Sequence, residues 1–237
     1  MANIRYNSKK LSSTYSKSRI HWDNFYDSEK FILEKIGIYE EDTILDLGCA
    51  CGGLGLALRE KFGKVNYTGI DINQFSISKS IELNPYGKFY CGDILDKSFE
   101  HFYEKFNKVI SFSCIDWNIE FDLMLKRSWD FVKPGGYLIT SMRITDKETV
   151  KNINQSFQKI DNDFSAQYSI ININEILNQF KEFNPSEINS YGYWGSTIKS
   201  YGNFTVSPYN KICFCVFSLK KRIDETEPTK IDLQLPI

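Results

Sequence analysis

The chain has 237 residues, of which 42% are hydrophobic and 25% are charged, and its formal net charge is -1. These values are ordinary for a globular protein with a substantial core, and the near-neutral charge argues against a general affinity for nucleic acid or an anionic membrane. No apolar run approaches the ~20 residues of a transmembrane helix, and the Lys-rich beginning lacks the apolar segment of a secretory leader. We therefore expect a cytoplasmic protein with no nucleic-acid or membrane partner.

The six cysteines follow no regular spacing. They form no C-x-x-C pair, and several lie in apolar runs, where cysteine usually packs as a small hydrophobic side chain. Cys49 and Cys51 form a C-x-C pair, which is shorter than the usual zinc-ligand spacing, and the chain has only two histidines. We therefore expect neither a disulfide framework nor a metal site.

The N-terminal part is predicted as a polar arm followed by a helix. Residues 1–20 are rich in Ser, Lys and Tyr and show little periodicity. Apolar residues then recur at helical spacing from Trp22 to Ile36, and Gly37 ends the pattern. We interpret residues 1–40 as a lid and a cap helix.

From residue 41, short apolar strands alternate with helices. The predicted strands are TILDLG, VNYTGID, GKFYCGD, NKVISFSCID and GYLITSMR; the predicted helices begin near Leu54, cover NQFSISKSIEL and run from Phe121 to Val132. A turn, KPGG, precedes the fifth strand. This alternation predicts a parallel sheet with helices on both faces.

The last third of the chain has a different pattern. A helix is predicted over 172–180, followed by two strands, INSYGYWG and KICFCVFSLK, with a long polar connection between them. The charged tail that follows is interpreted as an extension packed on the surface. Because no repeat or linker is visible, we predict a single domain over 1–237, with its core at 41–219 and its tail at 220–237.

The segment ILDLGCACGG, residues 44–53, joins the first strand to a helix through a Gly-rich turn. Such a turn gathers backbone N–H groups at the positive end of a helix, where phosphates and nucleosides bind. Asp71 ends the second strand and could accept both hydroxyls of a ribose, and Asp93 ends the third. Either could instead cap a helix, but together with Asp46 they place aspartates at three successive strand ends, which favours a nucleoside cofactor.

This arrangement resembles the class I S-adenosylmethionine-dependent methyltransferases over residues 44–219. The resemblance implies a Rossmann-like α/β fold with a seven-stranded, mostly parallel sheet, whose last strand is antiparallel and inserted beside the fifth. It also implies S-adenosylmethionine as the cofactor and S-adenosylhomocysteine as the product. The chain departs from the family at Ala50, where many members have glycine.

The resemblance implies a set of cofactor-binding residues. The backbone of residues 48–52 would lie against the methionine part, Asp71 would hold the ribose, and Asp93 would accept from the adenine amino group with Ile94 beside the ring. The fourth-strand segment ISFSCIDW would face the sulfonium and the acceptor. The full set is Asp46, Gly48, Cys49, Ala50, Gly52, Asp71, Ile72, Asp93, Ile94 and Ser113.

Two other functions remain open. A nicotinamide-dependent oxidoreductase would use a similar loop, but a helical cap precedes the first strand and no second α/β half follows the fifth. A non-catalytic partner subunit would keep the methyltransferase fold without turnover. Both are retained as alternatives to a methyltransferase.

The acceptor is predicted to be a small molecule. The segment SCIDW lacks the Pro-Pro-aromatic motif that is typical of nucleic-acid amino methyltransferases, which favours O-methylation. Asp116 and His21 are candidate general bases, and Arg143 is a candidate ligand for an anionic acceptor. Each has a structural alternative, namely a helix cap, a structural histidine and a surface arginine.

Five aromatic or basic residues are candidates for binding the acceptor. Tyr15 and Arg19 could close over it from the arm, and the others could line the pocket, although plain packing is an alternative for Trp117 and Tyr193. The set is Tyr15, Arg19, Trp22, Trp117 and Tyr193. The cap and YGYWG also loosely resemble bacterial methyltransferases of surface-polysaccharide clusters, which implies a saccharide or phosphate-derived capsule precursor. We expect a monomer or homodimer.

Overall fold

The computed structural model describes residues 9–160, 164–197, 205–224 and 228–237. The start of the predicted arm, part of the long polar connection and part of the tail lie outside these residues. The helices are α1 Lys9–Tyr15, α2 Asp27–Ile36, α3 Gly53–Phe62, α4 Gln74–Leu83, α5 Phe121–Phe131 and α6 Ile173–Glu182. Short 3-10 helices cover Trp22–Asn24, Lys97–Phe102 and Ile115–Trp117. No described helix has both the length and the apolar character needed to cross a membrane.

The strands form one large sheet and one small one. They are β1 Thr43–Leu47, β2 Asn66–Asp71, β3 Lys88–Cys91, β4 Phe106–Ser111, β5 Val132–Thr145, β6 Phe157–Lys159, β7 Ser165–Gln167, β8 Ile171–Asn172, β9 Glu187–Ser196, β10 Thr205–Val206, β11 Lys211–Lys220 and β12 Lys230–Gln234. In the described part of the chain, the large sheet has the order β12-β9-β11-β5-β4-β1-β2-β3, and β8 pairs with β5.

The predicted Rossmann-like α/β fold is confirmed. β1 to β5 are parallel, and β11 is antiparallel and inserted between β5 and β9. Residues of α2 and α3 pack in one apolar cluster and residues of α5 and α6 in another, so helices cover both faces of the sheet. The central strands β1 and β4 are buried along most of their length, in agreement with the apolar residues that make up much of their sequence.

The strand count differs from the predicted seven. Residues 230–234 of the tail form β12, which pairs in parallel with β9 at the edge of the sheet. Most side chains of β12 are exposed. An edge strand of this kind is held mainly by backbone hydrogen bonds, so its side chains carry little apolar signal. The tail is therefore an additional strand rather than a plain extension.

The prediction of a single cap helix that begins at Trp22 is wrong for its first turn. A 3-10 turn at Trp22–Asn24 precedes α2, which begins only at Asp27. The side chain of Glu29 accepts a hydrogen bond from the backbone N–H of Tyr26 at 2.9 Å, and this capping contact sets the start of α2. Gly37 ends the helix with φ of 70°, as predicted.

Two local features of the core were not predicted. The predicted turn KPGG belongs to β5, where Gly135 has φ of 78° and the pairing with β4 shifts register, so its glycines mark an irregularity in the strand.

Between β5 and α6, strands β6 and β7 form a small antiparallel sheet with β10. These strands are only two or three residues long, which is too short to show a period of two.

Candidate active site

The carboxyl ends of β1 to β4 open into a cleft with a cavity volume of about 510 Å³. The parallel strands end at the same edge of the sheet, so the loops that follow them meet there. The N-terminal segment and the small sheet line the rest of the cleft. The cleft is therefore large enough for a ligand and is bounded by three different parts of the chain.

The loop after β1 is held compactly against the end of β2. The backbone N–H groups of Gly48 and Cys49 both donate to the carbonyl of Ile70, at 2.8 and 3.0 Å. Gly48 has φ of 73°, and a Cβ there would lie 2.5 Å from the Sγ of Cys114. Only glycine fits this position, because both the backbone conformation and the space exclude a side chain.

Ala50 adopts φ of 46°, a left-handed conformation that is costly for a residue with a Cβ. Its backbone N–H donates to Oδ2 of Asp71 at 2.8 Å. This hydrogen bond holds Ala50 in the left-handed conformation, at a position where many proteins of the resembling family have glycine. The loop thus presents backbone and small side chains to the cleft.

Asp71 is oriented by two backbone donors. Its Oδ2 accepts from Ala50 and its Oδ1 accepts from the N–H of Asn73, each at 2.8 Å. Each oxygen keeps a lone pair for a second donor. Burial raises the pKa of Asp71, and the two N–H groups partly offset this effect. Asn73 caps α4, so Asp71 is not the helix cap.

Asp93 and its neighbours form the other end of the same wall. Asp93 is buried, and its Oδ1 accepts from the N–H of Leu95 at 3.0 Å. Ile94 and Ile72 lie beside it in the lining of the cleft. Asp46, Asp71 and Asp93 therefore reach one cleft, as their positions at the ends of successive strands predicted.

Asp46 lies at the end of β1 and is only 4% exposed. The hydroxyl of Tyr67 donates to its Oδ2. Burial raises the pKa of Asp46 to about 7, and the Tyr67 hydrogen bond opposes this effect. Its protonation state in the ligand-free protein therefore changes near neutrality.

This raised pKa gives a prediction for stability. An Asp whose folded pKa exceeds its unfolded value contributes stability below the unfolded pKa, and this contribution is lost as pH rises through about 7. Asp46→Asn should therefore raise the free energy of unfolding at about pH 8, by at most about 4 kcal/mol, and much less at about pH 4. Urea denaturation of both proteins without ligand measures the difference. An equal effect at both pH values would contradict the prediction.

Comparison with known proteins identifies the family. Residues 38–190 match the family model described as a methyltransferase domain. The chain belongs to this family of methyltransferase domains. The cofactor is S-adenosylmethionine.

Its relatives are diverse. The chain is 23% identical over 175 residues to malonyl-[acyl-carrier protein] O-methyltransferase 2 of Ilyobacter polytropus, covering 71% of this chain and 66% of the relative. It is 26% identical over 152 residues to a sterol 24-C-methyltransferase of Saccharomyces cerevisiae, covering 57% and 39%. The chain thus spans less than two thirds of the length of either relative.

Solved structures share the fold. A phosphoethanolamine N-methyltransferase 2 of Haemonchus contortus, in complex with phosphomonomethylethanolamine and S-adenosylhomocysteine, superposes with a TM-score of 0.60 at 14% identity. The match covers 82% of this chain and 52% of that chain. At this identity the likeness defines the fold alone.

The residues of the cleft fit the cofactor. The doubly oriented carboxylate of Asp71 offers lone pairs for a diol, and Gly48, Cys49 and Ala50 line the cleft beside it. The structure brings twelve of the predicted residues to the cleft: Tyr15, Arg19, Asp46, Gly48, Cys49, Ala50, Asp71, Ile72, Asp93, Ile94, Ser113 and Trp117. Their individual roles stay predictions.

Four other predicted residues lie outside the lining. Gly52 is the N-cap residue that directly precedes α3, with φ of 75°. His21 is exposed, and its Nδ1 lies 3.3 Å from Oε2 of Glu60. Trp22 packs edge-on against Phe62, and Tyr193 stacks on Phe214. The structure therefore gives no support to His21 as a general base or to Trp22 and Tyr193 as acceptor ligands.

Asp116 and Arg143 form a buried ion pair outside the lining. Nη2 of Arg143 lies 3.0 Å from Oδ2 of Asp116, and the two side chains are 3% and 4% exposed. The guanidinium also lies 4.3 Å from the ring centre of Trp117 and 3.7 Å from that of Tyr168. The interpretations of Arg143 as a surface residue and of Asp116 as the cap of α5 are wrong, because each is the other's buried partner and Glu120 precedes α5.

Several cleft residues were not predicted. Phe25 and Tyr26 belong to the cap pattern, but nothing in that pattern tells which of its aromatic residues face the cleft. Gln158 and Lys159 come from the small sheet. The polar sequence of that sheet carries no motif, so only the folded chain places it at the cleft.

Proposed function

We propose that this protein transfers the methyl group of S-adenosylmethionine to a hydroxyl oxygen of a small polar molecule. The observation that carries the proposal is the composition of the cleft beyond the three aspartates. Trp117 and Tyr26 offer aromatic faces, Asn118 and Gln158 come with amide side chains, and Lys159 adds a positive charge. Flat rings together with amides suit a saccharide, and Lys159 suits a phosphate-bearing capsule precursor.

The cofactor and the residues of the cleft would have different roles in methyl transfer. When bound, S-adenosylmethionine supplies a methyl carbon activated by the sulfonium. Residues of the chain align the acceptor oxygen and exclude water, which converts a bimolecular step into an intramolecular one. The 3-10 turn that carries Trp117 is held by Arg143, and the N–H of Ser169 donates to the carbonyl of Asp116 at 3.0 Å. A wall fixed in this way suits acceptor alignment.

The atom that receives the methyl group needs direct proof. The name of the Ilyobacter relative specifies O-methylation, whereas the yeast relative is named for carbon methylation and the Haemonchus structure for nitrogen methylation. Labelled S-adenosylmethionine should be offered to matched acceptors that carry a hydroxyl or an amine on the same sugar or sugar phosphate. We expect the label only in methyl ethers formed at the hydroxyl group of the hydroxyl compounds, identified by mass spectrometry.

Other outcomes distinguish the alternatives. Label on the nitrogen atom of the amine compounds would contradict O-methylation. Tight binding of S-adenosylhomocysteine without methylation of any of these acceptors would favour a non-catalytic partner subunit. Trp117→Leu is the matched variant for the acceptor wall. It should raise the KM for an acceptor while leaving the affinity for S-adenosylhomocysteine unchanged.

A further inference from the structure

Residues 167–169, which begin in β7 of the small sheet, lie along the turn 116–118 that contributes Trp117 and Asn118 to the cleft lining. Each of the three residues makes one contact with the turn, and the contacts run in antiparallel order. The pairs are Gln167 with Asn118, Tyr168 with Trp117, and Ser169 with Asp116. The small sheet therefore holds this part of the cleft wall in register, although Gln167 and Asn118 are 49 positions apart in the chain.

The side chain of Gln167 is the enclosed link in this register. Gln167 is 1% exposed, and its Nε2 donates to the carbonyl oxygen of Asn118 at 3.0 Å and to Oγ of Ser169 at 2.9 Å. Both N–H groups of the amide nitrogen are thereby used. Breaking either hydrogen bond would leave a buried polar group unsatisfied, which is costly. Gln167 therefore fixes the backbone at the end of the turn.

The amide of Asn118 has a defined orientation. Its Nδ2 lies 2.8 Å from the carbonyl oxygen of Cys114, and only the nitrogen of an amide can donate to a carbonyl. Oδ1 therefore points away from Cys114. Within the described residues Oδ1 accepts no hydrogen bond, yet it is not an enclosed atom, so the space that it reaches is the cleft that Asn118 lines.

The turn lies across β1 from the aspartates of the neighbouring strands. The sheet order β4-β1-β2-β3 places the turn, which follows β4, on one side of β1, and Asp71 and Asp93 on the other. Gln158 and Lys159 of β6 complete the lining near the turn. A nucleoside bound by Asp71 and Asp93 would therefore leave the side of the turn for the acceptor.

We propose that Gln167 is a positioning residue for the acceptor and that it acts through Asn118. Gln167 holds the backbone of the turn, the carbonyl of Cys114 orients the Asn118 amide, and Oδ1 of Asn118 accepts a hydrogen bond from the acceptor hydroxyl that is methylated. An amide oxygen does not take up the proton, so the contact serves to align the hydroxyl oxygen. The inference rests on the proposed O-methylation and names the contact that orients its acceptor.

A double-mutant cycle tests the proposal, with labelled S-adenosylmethionine and the sugar or sugar phosphate that the unsubstituted protein methylates. Asn118→Ala should lower kcat by about 10- to 100-fold and change KM less, because a misplaced hydroxyl reacts slowly. Gln167→Met keeps much of the volume but cannot donate, and should lower kcat by about 3- to 10-fold. The double variant should lose no more than Asn118→Ala alone, because Gln167 acts through the contact that is already absent.

A conservative variant separates alignment from a structural effect. Asn118→Asp keeps an oxygen toward the cleft and should recover most of the kcat that Asn118→Ala loses. This comparison holds even if Gln167→Met does not fold. All variants should bind S-adenosylhomocysteine within about 2-fold of the unsubstituted protein, measured by calorimetry. Asn178 is the matched control, because it is an exposed asparagine of α6 whose Oδ1 accepts from Lys181, and Asn178→Ala should leave kcat unchanged.

Three results would overturn the proposal. They are an unchanged kcat in Asn118→Ala, a loss in Asn118→Asp as large as that in Asn118→Ala, and additive losses in the double variant. If the unsubstituted protein methylated no hydroxyl compound, the proposed function itself would fail, which is a different result.

Discussion

Asp71→Ala is expected to weaken the binding of S-adenosylhomocysteine by at least about 100-fold. Two charge-assisted hydrogen bonds from ribose hydroxyls to one carboxylate are worth about 1.5–3 kcal/mol each. The substitution also removes the acceptor of the backbone N–H groups of Ala50 and Asn73. The substitution would therefore remove the ribose contacts and also alter the shape of the loop around Ala50. Calorimetry measures the affinity, and thermal unfolding without ligand measures the cost to the fold.

A second ligand separates the two effects. The unsubstituted protein should prefer S-adenosylhomocysteine to its 2′,3′-dideoxy analogue, whereas Asp71→Ala should bind both equally weakly. Asp71→Asn is the matched control, because its amide keeps the shape but turns an NH₂ group toward one of the two backbone donors. A loss of less than about 10-fold in Asp71→Ala would contradict the role of Asp71.

Arg143→Met is expected to destabilise the protein by about 3–5 kcal/mol. The change keeps much of the side-chain volume but leaves the carboxylate of Asp116 buried without its counterion. Oδ1 of Asp116 already has no hydrogen-bond partner among the described residues. Arg143 also donates through Nε to the carbonyl of Ser169 at 3.0 Å, and that acceptor would be left without its donor. Urea denaturation measures the loss.

The loss should depend on pH in a defined direction. Burial raises the pKa of Asp116 to about 6 although the charge of Arg143 lowers it. Without Arg143 the pKa rises further, so the variant tolerates a protonated Asp116 but not a charged one. The destabilisation should therefore be larger at about pH 8 than at about pH 5.

Two variants check the cause. Adding Asp116→Asn to Arg143→Met should recover part of the stability at about pH 8, because the buried charge is then absent. Arg59→Met, on a partly exposed arginine that stacks on Tyr86, should change stability by no more than about 0.5 kcal/mol. A pH-independent loss in Arg143→Met would show that packing against Trp117 and Tyr168, rather than charge, accounts for the effect.

The sequence predicted the core of the fold because its signals are local. β1 and β4 contain short apolar stretches that end in turns, and Gly37 and Asn84 end α2 and α4 near their predicted limits. Spacing along the chain was also sufficient for Asp71 and Asp93, since parallel strands necessarily bring their carboxyl ends to one edge. Elements held by backbone pairing or by tertiary contacts, such as β12 and the small sheet, carry no such local signal.

The roles of charged side chains could not be predicted in the same way. Asp116 and Arg143 are 27 residues apart and looked like separate candidates for catalysis, yet they form one buried pair. His21 was a candidate base but lies exposed beside Glu60. The pairing and the burial of a charged side chain depend on how segments that are distant in the chain pack together. The sequence by itself does not contain this information.

The sequence by itself thus determined the class of fold, the glycine-rich loop and the aspartates at three strand ends, because strand order and periodicity follow from neighbouring residues. The tertiary structure alone decided which side chains face the cleft, that Arg143 supports the wall at Trp117, and that Arg19 stands beside residues 48–53. These facts depend on contacts between segments far apart in the chain, where small changes in packing decide between a ligand, an ion pair and an exposed side chain.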